Sequence, residues 1–368
     1  MFQRPSILLG LALLAGSSFG QAAVEEQVPA TEVKDAVQGG WSVPDLDRTK
    51  AIIVSDSEVL ENSSKSQLDV LRVERNASLA RNQGTIPALD QARLVDLAVD
   101  LNAASPQSFE AHMANYYVQF PAPEAFRELD LANAKGRDRD ELIGPNLLNA
   151  ARKDNTTELV ACAKEMKLRG KVAPALYRVA EDIFASIEPS AVVFAAGEMD
   201  AYPLWVAQFA EDKRKDVLVV DERLLVDPAY RSSIWERSKA RGNVPQADRF
   251  IADLPGATQR PVFLSLAVGQ STMAPLRERL YVTGLAMRLS ATPIDNIPLL
   301  ENRWDRFKKA LDAGPLARNY LVPGAVLLTH YRAIGDEARA SRLELELRDM
   351  AKKLGATNSL IKSGVLAH

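Results

Sequence analysis

Two short apolar runs in the middle of the chain, at 191–196 and 217–220, set its hydrophobic pattern. Both are rich in β-branched residues and bounded by turn residues. Glu188-Pro189-Ser190 precedes the first, Gly197 follows it, and Asp221 ends the second. Runs of this kind fit strands buried on both faces. Between them, Leu204, Trp205 and Phe209 predict about three turns of helix over 202–211. Strand, helix, strand at this length is a βαβ unit with a parallel pair. The segment 224–230 reads as a loop, followed by a helix to about Arg241. A third strand is predicted at 261–266. A fourth at 280–289 suits a sheet edge, where its charges and Gly284 are tolerated.

On both sides of this α/β segment the period changes. Leu94, Leu97, Ala98 and Leu101 make one helical stripe, and Phe109, Met113, Tyr116 and Phe120 make the next. Helix starts are predicted near residues 88, 106, 123, 140, 155 and 172, which are 15 to 18 residues apart. Pairs therefore recur close to the repeat length of a tetratricopeptide helical hairpin. The consensus residues of that repeat are absent, so the reading is an α-solenoid-like array. Near the C-terminus, Leu321, Leu328 and Tyr331 precede Ile334-Gly335-Asp336, and Leu343, Leu347, Met350 and Leu354 follow, which predicts an αα-hairpin. The expected organisation is a signal peptide (1–22), a linker or N-terminal segment (23–87) with a short strand at 51–54, a tetratricopeptide-like helical domain (88–189), a Rossmann-like α/β domain with a parallel sheet (190–298) and a C-terminal helical region (299–368).

Charge and composition narrow the chemistry. A formal net charge of -3 with no basic block argues against a nucleic-acid partner. Cys162 is the single cysteine, so an internal disulfide and a thiolate zinc cage are both ruled out. Three histidines, His112, His330 and His368, make a Ser-His-Asp site or a His-rich metal site a poor fit. No cofactor and no metal is expected. At the N-terminus, Arg4, the apolar run 7–14 and Gly20-Gln21-Ala22 have the order of a secretory signal, with cleavage expected after Ala22. No other stretch approaches ~20 apolar residues, so the mature chain is expected to lack a membrane span and to be periplasmic or secreted.

Ligands of open α/β sheets sit beyond the carboxyl ends of the strands. There the chain carries Gly197, Glu198, Asp200, Asp221 and Asp227, with Tyr202, Trp205 and Tyr230 nearby, and these eight residues form the candidate ligand cleft. Gly197-Glu198-Met199-Asp200 is neither a dinucleotide fingerprint nor a P-loop, and two carboxylates would repel a phosphate. Asp200 with Asp221 has the chemistry of a metal ligand or general acid/base. The favoured reading is that Asp200 caps a helix starting at Tyr202, with Pro203 in its first turn, since capping needs nothing beyond these residues. Tyr202, Trp205 and Tyr230 fit a cleft lining, or the packing of a helix on its sheet. The charge run 211–216 reads as a solvated helix end.

The line from Ala191 through Gly197-Glu198-Met199-Asp200-Ala201-Tyr202-Pro203-Leu204-Trp205 to Gln208, then Asp216-Val217 to Asp221 and Leu224-Leu225, resembles a known segment. It is similar to the soluble region that follows the membrane spans in the protein O-mannosyltransferase-like family. There the pattern is Gly-Asp-x-Asp, an aromatic, Pro-Leu-Trp, Gln and Arg-x-Asp-Val. Glu198 stands where the first acid of Gly-Asp-x-Asp falls, Lys215 precedes Asp216, and 280–289 resembles a further strand of that family. The likeness spans about 191–300. The family's transferase machinery lies in membrane spans that this stretch lacks, so the resemblance implies a shared exported domain and carries over no catalytic residue. The functional expectation is an exported, non-enzymatic binding or accessory protein of the cell envelope, whose partner is another envelope protein or a glycan. The alternatives are a divalent-metal-dependent glycan- or phosphate-handling enzyme using Glu198, Asp200 and Asp221, and a structural scaffold.

Overall fold

The computed structural model describes residues 56–82 and 86–367. The signal peptide expected at 1–22 and the strand expected at 51–54 lie outside the described residues. Within them, fifteen helices surround one five-stranded mixed sheet.

Seven helices come first: α1 (Asp56–Arg81), α2 (Ala88–Ala104), α3 (Phe109–Gln119), α4 (Pro123–Lys135), α5 (Ile143–Arg152), α6 (Thr156–Leu168) and α7 (Pro174–Ala185). Each of the six helix starts expected from the sequence lies within three residues of an observed one. The starts carry their own chemistry. Ser108 accepts from the Ala111 amide at the head of α3 and Asn155 from the Glu158 amide at the head of α6, while Pro123 and Pro174 open α4 and α7. Neighbours pack in sequence, α1 on α2, α2 on α3, α3 on α4 and α5 on α6.

One polar device recurs between them. The Asn102 amide donates to Ala98 O and to Asn115 Oδ1, and 31 residues along the Asn133 amide donates to Leu129 O and to Asn146 Oδ1, with 2.9 Å between the amides in both cases. Half-buried amides that satisfy each other hold adjacent hairpins in the same register.

The stretch expected to be a linker, 23–87, contains α1. Its buried stripe is Ser64, Leu68, Leu71, Arg75 and Ser78, three of them polar, so no apolar period marks the helix. Those polar residues are paired: Ser64 with Ser105 (2.7 Å), Ser78 with Asp90 and Arg75 with Glu198.

The sheet comprises β1 (Val192–Ala195), β2 (Leu218–Asp221), β3 (Val262–Ser265), β4 (Leu280–Val282) and β5 (Ala286–Leu289), in the order β2-β1-β3-β5-β4. β1 runs parallel to β2 and to β3, with Val193 opposite both Val219 and Phe263. β5 is antiparallel to β3 and to β4, so the wholly parallel sheet expected from the sequence is corrected to a mixed one. The single strand expected at 280–289 is two strands. The chain reverses at Thr283–Leu285, where Gly284 has φ 144° and a Cβ would strike the Ser186 hydroxyl and the Phe307 ring. Thr283 closes the turn by donating through its amide to Ala286 O (2.9 Å), and its Oγ1 donates to Ser186 O (2.8 Å).

Helix α8 (Glu198–Phe209) joins β1 to β2. The return from β2 runs through α9 (Pro228–Arg237) and α10 (Ala247–Ala257) to β3, on the other side of β1. Right-handed crossovers then put α8 and α10 on opposite faces. Phe194 of β1 meets Phe250 of α10 edge to face, while α8 packs against α6 and α7. α9 ends at Arg237, short of the expected Arg241. The charged run 211–216 lies beyond the end of α8 as a turn, with positive φ at Asp212 and Arg214.

After the short α11 (Gln270–Met273) and the β4–β5 pair come α12 (Ile297–Trp304), α13 (Leu321–Ala333), α14 (Glu337–Lys353) and α15 (Thr357–Lys362). The α13–α14 hairpin turns at Gly335 (φ 73°), and Asp336 caps α14 by accepting from the Arg339 amide (3.0 Å), as the sequence predicts. Buried Asp182 of α7 accepts from the Lys308 amide and from the Tyr320 hydroxyl (2.6 Å), tying the helical array to this region. Among the described residues, no helix is long and apolar enough to cross a membrane.

Candidate functional site

In the order β2-β1-β3-β5-β4, the chain leaves β1 toward β2 and leaves β3 the opposite way, toward β4 and β5, so the crevice at which such sheets bind ligands lies between the carboxyl ends of β1 and β3. Asp200 occupies it. α8 begins at Glu198, four residues earlier than expected, because Gly197 adopts φ 80° and serves as its N-cap. Asp200 is therefore in the first turn rather than before it, and Pro203 falls in the second. Its Oδ2 accepts from the Ala196 amide (2.8 Å) and its Oδ1 from the Ser265 hydroxyl at the end of β3 (3.0 Å). The side chain reaches back as the third residue of a capping box does, and staples β1 to β3. It is 2% exposed. Burial, with Asp221 and Glu222 nearby, pushes its carboxyl up to about 7, against the two hydrogen bonds it accepts.

Asp221, fully buried at the end of β2, is held by Arg223. The guanidinium donates through Nε to Oδ1 (3.0 Å) and through Nη2 to Oδ2 (2.7 Å), and the Arg223 amide also reaches Oδ1 (3.0 Å). This is a bidentate fork on an Asx turn. Glu198 lies 3.0 Å from Nη2 of Arg75 and 4.0 Å from Nη1 of Arg223. Arg75 comes from α1 and stacks over Tyr117 of α3, and Arg223 lies over Phe120 just beyond α3. The start of the helical array thus supplies the cation that pairs with Glu198 and the aromatic faces on which both guanidiniums stack. Burial works against the charge on Arg223, yet Asp221 and Glu198 outweigh it and hold its pKa above the ordinary value. Glu222 is raised to about 7 by its own burial and by Asp221.

Two of the three aromatic candidates, Trp205 and Tyr230, close the free edge of β2 together with Gln208. The Leu218 amide donates to Ala191 O, so Val217, Val219 and Asp221 turn their main-chain groups away from β1. The Tyr230 hydroxyl accepts from the Asp221 amide (3.2 Å) and the Trp205 indole faces Val219 O (3.5 Å). Gln208 donates to Arg214 O and Val217 O, both at 2.8 Å. Pro-Leu-Trp followed by Gln is therefore a device that caps an edge strand with side chains. Tyr202 is buried and stacks on Trp205, with centroids 6.0 Å apart. Burial raises its hydroxyl well above the usual range. Asp227 stands apart from the acids: it caps α9 through the Ala229 amide (2.8 Å) and pairs with Arg152 of α5 (2.7 Å). Burial opposes its ionisation, but Arg152 and the amides prevail and hold it below the usual carboxylate range.

A cavity of about 230 Å³ lies on the outer side of β2. Leu159 and Val160 of α6, Trp205 and Phe209 of α8, and Val219 of β2 give it apolar walls, and Tyr230 also lines it. Of the eight residues expected to form one cleft, Glu198, Asp200 and Asp221 gather at the carboxyl edge with Gly197 and Tyr202 beside them. Trp205 and Tyr230 line the cavity, and Asp227 belongs to neither. Among the described residues, no group of three or more His, Cys, Asp or Glu is arranged to hold a metal ion. Sequence reasoning passed over Arg75, Ser265 and Phe120. Arg75 lies 123 residues from its partner and Ser265 65 residues from its own, so no local spacing links either pair. The one available signal was Arg223, two residues after Asp221.

The family model described as TMEM260-associated domain 2 matches residues 176–246, from α7 through β1, α8, β2 and α9. This match takes in all eight candidate residues and the capping Gln208. No curated protein and no solved structure matches the chain.

Proposed function

We propose that the protein is an exported, non-enzymatic binding or accessory protein of the cell envelope. The observation that carries this reading is the state of the strand-end acids. Asp221 is forked by Arg223, Glu198 is paired with Arg75, and Asp200 bridges Ala196 and Ser265 inside the crevice a substrate would need. A divalent ion there would have to displace guanidinium groups that already balance the charge, at the cost of leaving them buried and unpaired. The match at 176–246, together with the likeness to the region beyond the membrane spans of protein O-mannosyltransferase-like proteins, supports a role beside envelope protein or glycan assembly. In this reading 88–189 is a tetratricopeptide-like surface for a protein partner, and the α/β unit is a Rossmann-like fold kept for its outer face.

A metal-dependent glycan- or phosphate-handling enzyme is the second reading. It draws on one observation, the carboxyl of Asp200 poised at about 7, a value suited to general acid/base work. Thermal unfolding with and without millimolar magnesium, manganese or calcium separates the two. A bound ion stabilises the folded state in proportion to the logarithm of its concentration over its dissociation constant. The accessory reading expects no ion-dependent shift in wild type or in Asp200→Asn. A rise in wild type that vanishes in Asp200→Asn would replace it with the enzyme.

A further inference from the structure

We infer that the cavity on the outer side of β2 is a binding site for a small organic acid, a carboxylate on an apolar body. The inference rests on the binding-protein reading and gives its ligand a chemical class. At about 230 Å³ the cavity has the space of about eight waters at liquid density, enough for a compact ring or branched chain. Its walls are Leu159, Val160, Trp205, Phe209 and Val219, which favour an apolar body and offer an indole face to a ring.

The polar groups of the lining share one sign. Lys215 and Arg237 are its charged members, and no Asp or Glu is among them. Both cations are tied only to exposed acids outside the lining, Lys215 to Asp212 and Arg237 to Asp154 (2.7 Å). Exposed pairs of this kind are worth little, so either side chain can turn to a ligand at small cost. Gln208 has both amide hydrogens engaged by Arg214 O and Val217 O. The Tyr230 hydroxyl accepts from the Asp221 amide and keeps its own proton to donate. A ligand entering here meets donors and cations over an apolar floor. The complementary group is an acceptor with negative charge, and a carboxylate forked by Arg237 meets both requirements.

The test is calorimetric titration of the full chain with 3-phenylpropionate and with its neutral amide, 3-phenylpropionamide. Saturable binding of the acid is expected, with the amide at least about tenfold weaker. The double variant Lys215→Gln/Arg237→Gln removes an exposed and a half-buried cation whose only acid partners lie outside the cavity, so it should keep the wild-type melting temperature within a few degrees and lose about tenfold in affinity for the acid. Val160→Trp fills the cavity and should abolish binding, with its melting temperature measured alongside. Absence of saturable binding at millimolar acid, equal binding of acid and amide, or undiminished binding by the double variant would each overturn the assignment. Such a failure without ion-dependent stabilisation leaves the accessory reading standing. An ion-dependent shift that needs Asp200 removes that reading and says nothing against the cavity.

Discussion

The strand β2 borders two polar environments that treat their side chains in opposite ways. At its carboxyl end, Glu198, Asp200 and Asp221 are acids whose partners are built in: Arg75, Ser265 and Arg223. Along its outer side, Trp205, Gln208 and Tyr230 also satisfy main-chain groups, but they leave space beside them and two cations at its rim. Acids at strand ends are where a reader of sequence looks for chemistry. Here they hold three strands and the first helix together, and the open space lies on the other flank. The difference teaches that a fold-level rule about ligand position gives a place to look, and the bonding at that place decides what it is for.

The comparison breaks most visibly if Arg223 is removed. Arg223→Ala takes the guanidinium fork from the fully buried Asp221 and leaves it only the amide of residue 223, and should cost about 3 to 5 kcal/mol in denaturant unfolding. A cost below about 1 kcal/mol would mean that the fork is dispensable and the acid free for other work. On the flank, Gln208→Ala strips the donors from Arg214 O and Val217 O and should cost about 1 to 3 kcal/mol. An unchanged unfolding midpoint would say that water caps this edge equally well. Smaller again is Asp227→Asn, which keeps the cap on α9 and loses the charge facing Arg152, for about 1 kcal/mol at neutral pH. The carboxyl of Asp227 is held below its unfolded value, so its contribution is present at neutral pH and lost as pH falls through the folded value. Wild type and Asp227→Asn should therefore converge in acid; curves that stay parallel down to the acid limit would show that Asp227 acts only as a cap.

Much of this fold is legible along the chain. β1, β2 and β3 are short apolar runs between turn residues, and the six expected helix starts carry capping residues or prolines at or near their heads. What escaped was non-local or non-apolar. α1 hides because Ser64, Arg75 and Ser78 occupy its buried face. The β4–β5 reversal hides because Gly284 is required by a contact with Ser186, almost a hundred residues away. The acids of the candidate site were readable from their places after the strands. Their neutralisation was not, since Arg75 and Ser265 reach them only through the tertiary fold. Asp200 was read as a cap for a helix that starts four residues earlier, and the φ of Gly197 is what moves the start.

Asp200 gives the most direct test of the central claim, that the strand-end acids are structural. Its carboxyl sits at about 7 in the folded state and near ~4 in the unfolded chain, so between these values the folded protein keeps a proton that the unfolded chain has released. This group makes stability fall as pH rises through that window, by at most about 1.4 kcal/mol per pH unit, and its effect levels off above it. Asparagine mimics the protonated acid toward Ala196 and Ser265 without titrating. The measurement is the unfolding free energy of wild type and Asp200→Asn from pH 4 to pH 8. The account predicts that the two agree at the acid end and that the variant becomes progressively the more stable as pH rises to about 7. A variant less stable than wild type at the alkaline end, where the native carboxylate would then be serving a bound cation, would contradict it.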